Sequence, residues 1–170
     1  MNHTRRRALM GGLATAPLWL LGACGFELRR APELRFRTVQ LLGFKPRSPL
    51  AEALVVSINA SQTTLVVESA AQAQVVLEAL SDAREKSVVA STAAGQVREL
   101  QLRSVLNFRL RTPAGKELIA PTEISLKRDL SYVESAALAK EQEEAQLYRA
   151  MQTDIVAQVM RRLAAVQSIA

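Results

Sequence analysis

Residues 98–111 read RELQLRSVLNFRLR, and their alternation decides the fold class. Leu100, Leu102, Leu106, Phe108 and Leu110 fall on one side of an extended chain, and Gln101, Arg103, Asn107, Arg109 and Arg111 fall on the other. Successive side chains of a strand point to opposite faces, so the stretch reads as a strand with one buried and one polar face. Pro113-Ala114-Gly115 then supplies turn chemistry. Leu118, Thr122, Ile124 and Leu126 alternate again, and residues 98–128 read as one long antiparallel hairpin.

Working outward toward the C-terminus, a long helix is expected over about 134–165, with Ser131 and Ser135 as alternative N-caps. Glu141, Glu143 and Glu144 lie near its start and Arg161 and Arg162 near its end, the order that the helix dipole favours. Tyr148, Met151, Ile155, Val159 and Leu163 form a stripe suited to lying across a sheet. Toward the N-terminus, Leu34 to Leu42 reads as a first strand, closed by Gly43 and a turn around Pro46. Ser48-Pro49 matches a helix start, and Leu50, Leu54 and Ile58 follow at helical spacing to about Asn59. Thr64 to Val67 and Gln74 to Leu80 read as short strands joined by a turn. Val88 to Thr92 continues the sheet before a turn at Ala93-Ala94-Gly95-Gln96.

The order β-α-β-β-β-α with one polar sheet face predicts an α+β two-layer sandwich. Its mixed or antiparallel sheet of four to five strands packs against two helices, a short one near 48–59 and a long C-terminal one near 134–165.

The N-terminus reads differently. Residues 3–7 form a basic segment, and Ala8 to Leu21 is apolar but interrupted by Gly11, Gly12 and Pro17. It is short for a helix that must cross about 30 Å of hydrocarbon, and it reads as the core of an export signal. Leu21-Gly22-Ala23-Cys24 resembles a lipobox, in which a cysteine thiol receives a diacylglyceryl group and, after cleavage, the freed amine is acylated. Several acyl chains give durable attachment where one is marginal. Thr4-Arg5-Arg6-Arg7-Ala8-Leu9 also resembles a twin-arginine export motif, except that Ala8 stands where an aromatic is usual, and the export route stays open. The expected organisation is a lipoprotein signal over 1–23, a lipidated start and tether over 24–32, and one domain over 33–170.

Removing 23 of the 170 residues leaves 147, enough for one ordinary core. The chain is 49% hydrophobic and 22% charged, a globular composition. Three of the positive charges behind its net +6 leave with the signal. No zinc-finger, RNP or helix-turn-helix pattern accompanies that charge, so nucleic-acid binding is not expected. Cys24 is the sole cysteine and His3 the sole histidine. The processed chain therefore lacks the residues for common zinc sites, Ser-His or Cys-His nucleophiles and internal disulfides. No enzymatic activity and no cofactor beyond the covalent lipid are expected.

With these elements placed, the chain resembles the LptE family of lipopolysaccharide-assembly lipoproteins. Cys24-Gly25-Phe26-Glu27-Leu28-Arg29 resembles the family's start, and Gly95-Gln96-Val97-Arg98-Glu99-Leu100 the entry into its long strand. Leu138-Ala139-Lys140-Glu141, with Glu143, Glu144, Leu147, Met151, Asp154 and Arg161-Arg162-Leu163, resembles its terminal helix. Leu100 stands where the family commonly has tyrosine, and Ala93 and Ala94 stand where some relatives carry a basic residue.

The resemblance implies an outer-membrane lipoprotein, seated in an LptD-like β-barrel that it helps to fold, which binds lipopolysaccharide and assists its delivery. Gly25 after the lipidated cysteine is compatible with release to the outer membrane. The resemblance of the helix start makes Lys140 the first candidate contact for lipopolysaccharide phosphates, and Arg98, beside the Gly95 turn, is the second, each with solvated surface charge as the competing reading. Two other classes remain: a free periplasmic lipid carrier, which needs an apolar cavity, and a hydrolase, for which no G-x-S-x-G or S-x-x-K motif is present.

Overall fold

The computed structural model describes residues 32–167, so the signal, Cys24 and the tether up to residue 31 lie outside the described residues. The elements are β1 (Thr38–Leu42), α1 (Pro49–Asn59), β2 (Leu65–Val66), β3 (Val75–Ser91), β4 (Val97–Arg111), β5 (Glu117–Ser131) and α2 (Ala137–Ala164). They form a five-stranded mixed sheet in the order β2-β1-β3-β4-β5, with β1 parallel to both neighbours and the remaining pairs antiparallel. The α+β sandwich of two helices on one sheet is as expected, with one strand more than the order β-α-β-β-β-α allows.

Several boundaries differ from the sequence reading. Leu34 and Phe36 are buried as their alternation requires, but residues 34–37 form no ladder. The Leu34 N–H donates to Thr63 Oγ1 (3.3 Å) and the Arg37 N–H to Gln74 Oε1 (2.7 Å), so side chains satisfy a backbone that a partner strand would otherwise pair. The segments 64–67 and 74–80 are not neighbours, because β1 lies between β2 and β3. Val88 continues β3, which is 17 residues long. In α1 Ser48 is the N-cap, its Oγ accepting from the Ala51 N–H (3.2 Å) and donating to Asp82 (2.6 Å). Neither Ser131 nor Ser135 caps α2: Ser131 ends β5, and Ser135 sits in a 3₁₀ turn, Glu134–Ala136, that feeds the helix from the uncapped Ala136.

The central strand β4 pairs along its length with β3 and β5. A bulge between Ala79 and Ser81 shifts the register of β3. Before it, Val75, Leu77 and Ala79 join the core; after it, Asp82 pairs with the buried Leu106 and reaches the start of α1. The core joins these residues to Phe108, Leu110, Leu54, Ile58, Ile155 and Val159. A smaller cluster of Leu102, Leu130 and Met151 continues it along the hairpin.

The opposite sheet face is charged, and its arginines on β4 are paired with carboxylates of the neighbouring strands. Glu78 receives Arg109 and Arg111 (each 2.9 Å), and Arg103 reaches Glu85 (3.2 Å) and Glu123 (3.5 Å). The exposed Arg103 pairs are worth at most about 1 kcal/mol each. Hydrogen bonds from Arg111 and then Arg109 hold the Glu78 carboxyl below the ordinary glutamate range, against the opposing effect of burial.

Two outcomes follow. Gly43 has φ +79°, and an added Cβ would stand 2.2 Å from the Ala79 carbonyl oxygen, whereas Gly95, at φ +77°, has open space. Gly95→Ala should cost about 1–2 kcal/mol of left-handed strain. Gly43→Ala should cost that plus about 1–3 kcal/mol of overpacking, read from denaturant midpoints. Because the folded-state pKa of Glu78 is lowered, its contribution is complete above the ordinary value of 4.5 and drains as pH falls through the folded value. The stability gap between wild type and Glu78→Gln should thus be constant near neutrality and close under acid, as checked by urea titrations across pH.

Candidate functional site

Within β3, β1 pairs only with Val75–Glu78, so from Ala79 onward β3, β4 and β5 continue without it. At about 3.3 Å per residue, the 17 residues of β3 span roughly 55 Å. The end bearing β1, β2 and the 112–116 turn is the base, and the end bearing the 92–96 turn is the tip. The tip turn closes with Gly95 N–H on the Thr92 carbonyl (2.9 Å) and Gln96 N–H on Thr92 Oγ1 (3.1 Å), Gly95 taking the positive φ. The base turn repeats this geometry with Thr112, Gly115 and Lys116.

Beside the tip turn lies an open cleft of about 700 Å³, formed by residues 94–98 and 132–135. The Tyr132 N–H donates to the Arg98 carbonyl (2.8 Å), which holds the two walls together. Arg98 lines this cleft together with Glu134. Its guanidinium is exposed and makes no ion pair or hydrogen bond to a described residue. Lys140 stands next to the cleft through Ser131 but is engaged: its Nζ donates to Ser131 Oγ (3.0 Å) and Glu143 (2.8 Å), and its side chain is only 18% exposed. The two sequence candidates thus reach the same end of the molecule, Arg98 free and Lys140 neutralised. Val88, Val133 and Leu138 are exposed apolar side chains at this end.

Behind the tip, α2 is held to β3 by polar contacts. Arg84 lies over the Tyr148 ring (5.2 Å to its centre) and donates to Gln152 (2.8 Å), and Tyr148 donates to the Glu85 carbonyl (2.8 Å). Lys86 pairs with Glu144 (3.0 Å), and that hydrogen bond raises its pKa above the ordinary lysine value. Burial raises that of Tyr148. No local pattern marks Arg84 or Lys86; only the β3 register, shifted at Leu80, faces them toward α2 and its Glu144. Among the described residues no cluster of His, Cys, Asp or Glu is placed to hold a metal ion, and no helix is long and apolar enough to cross a membrane. Cys24 lies outside the described residues.

A family model described as LptE, lipopolysaccharide-assembly, matches residues 36–163. The solution structure of an uncharacterized lipoprotein B from Nitrosomonas europaea is 32% identical, with 83% of this chain and 91% of that one covered, at a TM-score of 0.68. The crystal structure of rare lipoprotein B from Shewanella oneidensis is 25% identical over 76% of this chain and 95% of that one, at a TM-score of 0.62. A minor lipoprotein from Acinetobacter baumannii, 17% identical over 78% of this chain and 93% of that one, shares the fold at a TM-score of 0.62. No curated protein matches the chain. The long hairpin, the terminal helix and these matches agree, and the chain belongs to the LptE lipopolysaccharide-assembly family, with a role in lipopolysaccharide transport.

Proposed function

We propose that the mature protein is held to the outer membrane by lipid on Cys24, seats its three-stranded extension inside an LptD-like β-barrel as a non-enzymatic plug and assembly partner, and binds lipopolysaccharide at the tip. The observation that carries this reading is the tip itself: an unneutralised Arg98 in an open cleft, with exposed Val88, Val133 and Leu138 at the same end. An amphiphile with phosphorylated sugars and acyl chains needs that combination of cation and apolar surface. The outer sheet face supports the barrel part, because charges already paired within the sheet suit the polar interior of a large barrel. A free carrier needs an enclosed apolar cavity, and the cleft is open and of mixed polarity.

In this reading Arg98 takes a phosphate directly. Lys140 serves after exchanging Glu143 for the ligand, so its contribution is smaller. Arg98→Asp should weaken lipopolysaccharide binding about tenfold, the equivalent of about 1.4 kcal/mol, and Lys140→Gln by less. Unchanged affinity in both variants would assign both residues to solvated surface.

The anchor and partner are tested together by mild-detergent pulldown of the tagged lipoprotein from its own envelope, with mass spectrometry of the copurifying proteins and the Cys24 peptide. The expected result is a near-equimolar large β-barrel and an acylated Cys24, with Cys24→Ala leaving unprocessed or mislocalised precursor. A lipidated Cys24 without a barrel would remove the plug reading and restore the carrier, and normal acylation of Cys24→Ala would remove the anchor assignment.

A further inference from the structure

β5 is the last strand of the sheet, and among the described residues no strand pairs with its outer edge. The two long edges of the extension differ in this respect. That of β3 lies against α2, whose Tyr148 hydroxyl donates to the Glu85 carbonyl (2.8 Å) while Gln152 and Glu144 take Arg84 and Lys86. Along β5 the direction of each backbone group follows from the ladder. The Tyr132 N–H donates to the Arg98 carbonyl, which makes these two residues a hydrogen-bonded pair, and the register runs unbroken from Glu99 with Ser131 to Phe108 with Thr122. Bonded and unbonded pairs alternate in an antiparallel ladder, so Glu123, Ser125, Lys127, Asp129 and Ser131 turn their N–H and C=O groups away from β4. The Lys127 carbonyl is accordingly free to accept from the guanidinium of its own neighbour Arg128 (2.9 Å).

The side chains of these edge residues lie on the charged outer face of the sheet. Arg103 reaches Ser125 Oγ (2.9 Å) and Glu123 (3.5 Å), and Gln101 reaches Asp129 (3.0 Å). Lys127 is exposed, and its ammonium makes no ion pair or hydrogen bond to a described residue.

We propose that this edge pairs with a second copy of the chain, β5 against β5, antiparallel about a two-fold axis at Ser125. Ser125 then faces its own counterpart, and Glu123 of each copy faces Lys127 of the other, all on the outer face of one continuous sheet. Each of these facing pairs exchanges two backbone hydrogen bonds, and Glu opposite Lys is a favourable cross-strand pair. On the inner face Ile124 meets Leu126. Charge selects this register over its neighbours. An axis at Lys127 or Arg128 sets like cations face to face, and one at Leu126 sets Glu123 against Asp129. An axis at Ile124 sets Lys127 opposite Pro121, which has no N–H to give. The contact is isologous and closes on itself, leaving outward only the two-residue β2 and the β3 edge against α2. A barrel around the extension excludes the second copy, so the pair belongs to the chain before it meets the barrel. The pairing itself does not rest on the barrel reading.

The test uses the chain from residue 24 with Cys24→Ser, which retains every described element. Sedimentation equilibrium over a concentration series up to about 1 mM, which reaches even weak pairs, should show a monomer–dimer transition. Lys127→Glu turns both Glu–Lys pairs into repulsions and should weaken dimerisation about tenfold, and the swap Glu123→Lys/Lys127→Glu should bring it back to within about threefold of the parent chain. A chain that stays monomeric throughout, or a Lys127→Glu effect that the swap leaves in place, overturns the proposal. A second measurement keeps both charges and reads the register. Residues of a bonded antiparallel pair have Cα atoms about 5.5 Å apart, within disulfide range, so mild oxidation should crosslink the Ser125→Cys chain to itself. The Asp129→Cys chain should not crosslink, because the same register sets its two thiols about 26 Å apart along the strands. Equal crosslinking of the two chains, or none in either, overturns the proposal as well.

Discussion

The pairing of β4 with β3 on one side and β5 on the other sets the position of everything else, because each of these strands is far longer than β1 or β2. Three strands that outrun the core have one helix, α2, to cover their inner face toward the tip, and α2 does so with Met151 on Leu102 and Leu130 and then with polar contacts. The bulge at Leu80 makes this possible. If β3 ran through Leu80 in regular alternation instead, Arg84 and Lys86 would face away from the helix, and Asp82 would not reach Ser48 at the start of α1.

The same register accounts for the division of charge. Where strands run side by side, arginines find carboxylates one strand away, and the sheet face becomes neutral without a partner. Arg98, at the tip, has no such carboxylate partner among the described residues. A ligand or surface gains most from a charge that the protein has not already neutralised, because no internal pair must be broken first.

Membership in the LptE family connects this geometry to lipopolysaccharide transport. The rigid, elongated hairpin carries the cleft at the end of the sheet far from β1 and β2. Rigidity comes from the continuous ladders and the α2 contacts, and the cleft walls are joined by the Tyr132–Arg98 backbone bond.

Local pattern alone determined much of this protein. The alternation of Leu102, Leu106, Phe108 and Leu110 marked the central hairpin, the Ser48-Pro49 pair marked the start of α1, and the stripe from Met151 to Leu163 marked the buried face of α2. Each depends on neighbours in sequence, so the periods of strand and helix suffice to read it. The insertion of β1 between β2 and β3, the shift at Leu80, the uncapped start of α2 and the capture of Lys140 by Glu143 were decided by tertiary structure. Strand order and register depend on contacts between residues far apart in the chain. The state of a charged side chain depends in turn on which residue that register sets beside it, and no local period carries that information.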